Sequence, residues 1–287
     1  MEVTDNVQQE WREVITPKKN IFSLNVREIW NYRDLLFILM RRDILAIYKQ
    51  TILGPLWFFL QPLLTTITFL IIFSKAAKLS TGGLPAIIFY LSGIVLWSYF
   101  SECIFRISSF LKDNNSILSK VYFPRLIIPL SLVLTNLVKF SIQFTLFLLV
   151  YIYFFSKGAI AMPNSIVFIL PLLVILIAGL GLGMGMIISS LTTKYKDLGH
   201  LTTFGVQLLM FISPVIFPIS AMGEGWYKLL ILANPMTGII EAFRYGFLDN
   251  GYFSWWLLGY DAMCVIVFLF IGIIVFNSVE KNFVDSI

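Results

Sequence analysis

Charge is what this sequence has least of. Only 13% of its 287 residues are charged, against 58% hydrophobic, where a soluble domain carries about 25% charged residues. So few charges cannot cover a water-facing surface, so an ordinary soluble domain is excluded and most of the surface is expected to face lipid. Histidine occurs once, at His200, and cysteine twice, at Cys103 and Cys264. Neither cysteine has a CxxC partner or a nearby histidine, so no zinc site or disulfide framework is expected. A phosphate-binding GxxxxGK loop ending in Ser or Thr is missing. The densest glycine run, GLGLGMG at 179–185, holds no lysine. Its overlapping GxxxG patterns, Gly179 with Gly183 and Gly181 with Gly185, read as close helix packing. No Ser-His-Asp spacing or acidic pair marks a hydrolytic site. His200, beside Tyr195, Lys196 and Asp197, reads as structural or a loop contact. The first residues are polar and charged, so no cleavable secretory signal is expected.

What is present is length in apolar runs. A helix crossing the hydrocarbon core needs roughly 20 mostly apolar residues. Residues 54–74, 84–105, 126–155, 166–191, 201–219 and 254–277 meet that length. The expected fold is an all-α integral membrane protein with six transmembrane helices. Lys and Arg set its orientation. Arg12, Lys18, Lys19, Arg27, Arg33, Arg41, Arg42 and Lys49 precede the first span. Arg106, Lys112, Lys120 and Arg125 lie between the second and third, Lys194 and Lys196 between the fourth and fifth, and Lys281 in the tail. The opposite side holds only Lys75, Lys78, Lys157, Lys228 and Arg244. Both termini are therefore expected in the cytoplasm.

Residues 226–248, WYKLLILANPMTGIIEAFRYGFL, resist a seventh crossing. They are broken by Asn234-Pro235 and carry Glu241 and Arg244. An external re-entrant helical hairpin between spans five and six, with Asn234 and Pro235 at its tip, fits better. Broken helices at membrane depth survive only when buried in protein or lining a wet cavity. An amphipathic helix lying on the outer surface is the alternative.

Residues 27–49 place Ile29, Trp30, Leu36, Phe37, Met40, Ile44, Ile47 and Tyr48 on one helical face. Arg27, Glu28, Asn31, Asp34, Arg41, Arg42 and Lys49 fall on the other, where Leu35, Ile38 and Leu45 interrupt the polar pattern. Such a helix lies in the cytoplasmic headgroup plane, its cations meeting anionic lipid. Gly54-Pro55 then turns the chain into the bilayer, and Pro62 is expected to kink the first span. The organisation expected is a polar cytoplasmic segment 1–26, an interfacial helix 27–53, a six-span domain 54–277 containing the re-entrant 226–248, and a cytoplasmic tail 278–287.

These residues carry a resemblance. YKQTILGPLWFFLQPLL resembles the opening segment of polysaccharide-exporting ABC transporter permeases, the type-2 exporter group that handles O-antigen, capsule and teichoic acid chains. The resemblance continues at YFPRLIIPLS, KYKDLGH, SPVIFP and NPMTGIIEAFRYGFL, covering nearly everything from residue 27 onward. It implies six spans, an interfacial N-terminal helix, external re-entrant helices and a homodimer in the bacterial inner membrane. It further implies two copies of a separate cytoplasmic ATPase subunit that binds ATP and Mg, so no cofactor is expected in this chain. The substrate implied is a lipid-linked polysaccharide. Membrane lipid is the other expected contact, and no nucleic acid is expected.

Candidate sites follow. The loop RISSFLKDNNSILSKVYFPR reads as two short helices around a polar turn, Asp or Asn capping the second. The resemblance puts the ATPase groove against it, with Lys112, Asp113, Asn114, Asn115, Ser116, Lys120 and Arg125 as coupling residues. Arg41, Arg42 and Lys49 stand where an anionic lipid pyrophosphate would be attracted, or simply anchor the positive side. Lys139 and Asp261 lie inside spans, where a charge costs about 2.5–3.5 kcal/mol at the helix centre. Each is expected to face the interior or a hydrated lumen, and the two are candidates for a pair. Trp57, Trp97, Phe204, Phe211, Phe217 and Tyr245 are candidate rings for a sliding glycan, the alternative being interfacial anchoring. A drug or lipid exporter remains open as a function, as does a membrane-embedded transferase. Glu102, Glu224, Glu241, Arg244, Asp249 and Asp261 fall on both sides of the bilayer in this topology, which disfavours the transferase.

Overall fold

A computed structural model describes residues 26–49, 53–113, 123–195, 197–223 and 225–284. Every regular element among them is helical. In chain order these are α1 (Val26–Asn31), α2 (Arg33–Lys49), α3 (Leu56–Phe69), α4 (Ala86–Asp113), α5 (Ile127–Ser156), α6 (Leu170–Lys194), α7 (Leu198–Phe211), α8 (Trp226–Ala233), α9 (Met236–Leu248) and α10 (Trp255–Val284). A π-helical turn, Leu70–Ala76, extends α3, and a 3₁₀ turn, Ser165–Ile169, leads into α6. Among the described residues five helices are long and apolar enough to cross a bilayer: Leu56–Ala76, Ala86–Phe110, Ile127–Ser156, Ser165–Thr193 and Trp255–Ser278.

The expected fifth span differs. Its helix ends at Phe211, and residues 212–218 turn irregularly. Fourteen residues make a helix of about 21 Å against a hydrocarbon core of about 30 Å. The break sits at Ser213-Pro214, because proline denies the helix a donor and clashes with the preceding turn.

The α4 helix is the centre of the molecule, with Ile88, Leu91, Val95, Leu96, Cys103, Ile104 and Ile107 fully enclosed. The α6 helix lies between α4 and α10, and its glycines explain how. A Cβ on Gly181 would stand 2.6 Å from Cys103, and one on Gly185 2.7 Å from Ile107, both on α4. On the opposite face, a Cβ at Gly179 would stand 2.6 Å from Val265, and one at Gly183 2.6 Å from the Phe268 carbonyl carbon, both on α10. The two overlapping GxxxG patterns thus serve two partners, one on each side of a single helix.

The N-terminal helix comes in two pieces, and α2 rests on α5. Tyr32, Leu35 and Leu39 pack toward the core, while Trp30, Phe37, Ile38 and Leu45 remain exposed. Leu35, which interrupts the polar face in sequence, is therefore the contact with the protein. Those four exposed apolar residues are left on a second face.

Replacing Gly183 by valine is expected to destabilise the fold by about 1–3 kcal/mol through overpacking against α10. Gly205→Ala, with open space around it, is the control. The check is the melting temperature of each purified variant in detergent.

Candidate functional site

The most elaborate polar site lies where α9 meets α4 and the irregular segment after α7. Arg244 is 1% exposed. It donates from Nε to Ser92 Oγ at 3.1 Å, and from Nη2 to the carbonyls of Phe89 at 3.1 Å and Val215 at 3.2 Å. Its Nη1 donates to the Pro214 carbonyl. The guanidinium carbon lies 3.7 Å from the centre of the Phe89 ring, a cation–π contact strengthened by the absence of water. Glu241, one turn earlier, supplies the countercharge at 3.5 Å, and its second oxygen accepts the Tyr252 backbone N–H at 2.8 Å. Gly93 makes room: a Cβ there would come 2.9 Å from Arg244 Nη2. The cluster joins α4, the broken segment, α9 and the approach to α10.

The α8–α9 turn is built around Asn234. Its Oδ1 accepts the Met236 N–H at 3.1 Å, capping α9. Its Nδ2 donates to the carbonyls of Ile212 at 3.2 Å and Leu209 at 3.4 Å. Pro235 follows as the residue that admits the new helix without needing a donor. Asn164 fastens the other end of α9: its Nδ2 donates to the Tyr245 carbonyl at 2.8 Å, and its backbone N–H to Gly246 at 2.9 Å.

Asp261 and Lys139 both face the interior, and they do not pair. Asp261 is fully buried on α10 beside the first turn of α9, where a Cβ on Gly238 would stand 2.2 Å from its Oδ2. A carboxylate there faces the positive end of the helix dipole. Lys139 instead lies 3.1 Å from Glu102 on α4, and Arg106 approaches the same carboxylate at 3.9 Å. A cavity of about 130 Å³ opens beside this pair, lined by residues of α3, α4 and α5, among them Phe58, Gln61, Ser101 and Gln143. A larger one, about 600 Å³, lies between Lys228 and Leu232 of α8 and Trp256, Leu257 and Tyr260 of α10.

The candidate rings separate into two groups. Trp57, Phe204 and Phe211 are exposed on α3 and α7. Trp97 is buried against Phe100, their centroids 5.2 Å apart. Phe217 is partly buried against the core, and Tyr245 stacks on Phe253 at 5.5 Å. Arg41, Arg42 and Lys49 are exposed on α2. Of the coupling-loop residues, Asn114, Asn115, Ser116 and Lys120 lie outside the described residues. Lys112 and Asp113 end α4, and Arg125 precedes α5.

Sequence reading passed over Gln61, Asn136 and Gln143. Asn136, Lys139 and Gln143 recur at helical spacing on α5, as do Ser98, Ser101, Glu102 and Phe105 on α4. A search for polar residues at that period inside apolar spans would have found both stripes.

Arg244→Ala is expected to cost about 3–5 kcal/mol, since it strands Glu241 and several carbonyls without donors. Arg244→Lys is expected not to rescue it, because an ammonium cannot reproduce the fork. Thermal unfolding in detergent, with limited trypsin digestion, reads both.

Residues 34–248 match the family model described as ABC-2 type transporter. The chain is 28% identical over 263 residues to the O-antigen export system permease protein RfbA of Myxococcus xanthus, covering 91% of this chain and 98% of that one. It is 25% identical over 253 residues to an O-antigen export system permease protein of Klebsiella pneumoniae, covering 88% and 94%. It is also 24% identical over 253 residues to the polysialic acid transport protein KpsM of Escherichia coli, covering 86% and 94%. The family model spans most of the chain, and the chain belongs to the ABC-2 type transporter family.

Proposed function

We propose that this chain is the membrane-spanning permease subunit of an ATP-driven exporter, moving a lipid-linked polysaccharide of O-antigen type out of the cytoplasm. The observation that carries this reading is end-to-end similarity to permeases named for O-antigen export. The architecture supports it. The long apolar helices supply a membrane body, and the sequence holds no phosphate-binding loop of its own. ATP and Mg belong to a separate subunit in this reading, two copies of which sit beneath a homodimer of this chain.

In the working arrangement α7 makes the inner part of the fifth of six crossings and the buried turn after it the outer part. The α8–α9 hairpin returns from the external side, and both termini lie in the cytoplasm of a bacterium, beneath the inner membrane. The exposed face of α2 lies in the inner headgroups, where Arg41, Arg42 and Lys49 attract the anionic end of the lipid carrier. The loop after α4 receives the push of the ATPase. Trp57, Phe204 and Phe211, exposed on helices with few neighbours, line the passage between two copies. Sugar C–H faces slide over such rings without deep wells.

Co-expression with an ABC ATPase subunit from the same organism is expected to give a stable complex whose ATP hydrolysis in lipid rises on adding the lipid-linked glycan. No complex with that ATPase and no stimulation by any lipid-linked glycan would overturn the reading. Reporter fusions after residue 284 are expected to be active in the cytoplasm only; periplasmic activity would refute the six-span topology.

A further inference from the structure

Resting on the polysaccharide-conduit reading, we propose that the cavity between α3, α4 and α5 is a hydroxyl-binding subsite that takes the edge of one sugar unit of the passing polymer. Its walls come from three helices that each turn polar groups the same way: Gln61 from α3, Ser98, Ser101 and Glu102 from α4, Lys139 and Gln143 from α5. A purely structural ion pair inside a membrane would be closed in by packed side chains. Here the pair at 3.1 Å keeps Glu102 37% exposed at the side chain, beside open space of about 130 Å³. That is room for about four waters at roughly 30 Å³ each, so the space is hydrated when no ligand fills it.

The chemistry of the walls selects the ligand. Gln61 and Gln143 make no side-chain hydrogen bond to a described residue. The carboxamides offer both donors and acceptors, the pattern a sugar hydroxyl needs. Within the lining Glu102 neutralises Lys139, and Arg106, 3.9 Å from the same carboxylate, is not among the lining residues, so an anion such as the carrier pyrophosphate meets a carboxylate as well as an amine and gains little. Phe58 and Phe140 line the same space and suit the C–H faces of a pyranose. A neutral, hydroxyl-rich ligand matches all of these features. The cavity is too small for a whole acyl chain or a complete sugar residue, so contact is with an edge, and the polymer can step on.

The test uses single cysteines, Ser101→Cys and Ser98→Cys, in the full transporter with its ATPase. The parent chain, with its native Cys103 and Cys264, sets the background. A small, permanently charged methanethiosulfonate reagent is applied to membranes from cells that make the polymer and from cells lacking its first glycosyltransferase. Both cysteines are expected to react in polymer-free membranes and to lose that reactivity when polymer is threaded. Reaction that is equal in the two membranes, or absent from both, overturns the subsite. Surface polysaccharide is measured in the polymer-making cells. If the parent exports none, the conduit reading itself fails, whereas normal export without protection sinks only this inference. Gln143→Leu is the second arm. It is expected to lower export about fivefold, the size of one net hydrogen bond, with melting temperature and ATPase association unchanged. A lowered melting temperature with full export would mark the residue as structural and refute its binding role.

Discussion

The whole arrangement depends on satisfying carbonyls where a membrane-depth helix stops short. Once α7 ends at Phe211, the Ile212 and Ser213 N–H groups still reach back to Leu208 and Met210, but carbonyls near the break lose their helical partners, and lipid offers none. Four of the carbonyls near that break find donors on two side chains of the α8–α9 hairpin. Asn234 reaches Leu209 and Ile212, and Arg244 reaches Pro214 and Val215. The break and the hairpin therefore need each other. Arg244 in turn needs Glu241 as countercharge and Gly93 for room. One cation inside an apolar fold is tolerable because nearly all of its donors are used, and a guanidinium suits this better than an ammonium because its donors fan out in a plane.

The same reasoning shows what was legible in sequence. Long apolar runs announce themselves, and the helices beginning at Leu56, Ala86, Ile127 and Trp255 start within two residues of where the apolar runs place them. The doubled glycine pattern of α6 also read correctly as packing, though not that its two halves serve different neighbours. The candidate pairing of Lys139 with Asp261 does not form, and Lys139 meets Glu102 instead. Both are inward charges, but which inward charges meet depends on helix azimuths that hydropathy does not encode. Glu102, the partner found, counts in sequence only among scattered polar groups, and its relation to Lys139 emerges when the period of polar residues is counted. Nor does the run through Ser213-Pro214 look less like a span than its neighbours, because the irregular residues are as apolar as helical ones. Their backbone needs are met from a distant stretch of chain.

Packing also divides the molecule mechanically. The α4, α6 and α10 helices are locked by glycine contacts so close that a Cβ would displace backbone at Gly183. Such contacts resist sliding, since any shift brings atoms into overlap. By contrast α3 and α7 expose Trp57, Leu64, Ile67, Phe204, Leu208 and Phe211 and have few neighbours in the chain. Elements with few buried contacts are the ones that move at low cost. A rigid three-helix spine carrying looser helices is suited to a machine whose passage must open and close while its frame persists.

The placement of α2 gives that division a direction. It rests on α5, so a force applied to α2 meets α5 before it meets the spine. The α5 helix carries Lys139, whose ion pair with Glu102 is one polar tie to α4, beside the Asn136 contact with Cys103 at 3.8 Å, and an ion pair beside open space can lengthen and re-form without leaving either charge stranded in lipid. A glycine-packed contact could not. The α5–α4 contact is thus the more compliant one, and a shift of α5 changes the width of the cavity beside Lys139 before it disturbs the Arg244 cluster. Movement applied at α2 would reach the cavity beside Lys139 and Glu102 through α5, while the irregular segment after α7, held by its buried guanidinium, keeps its shape.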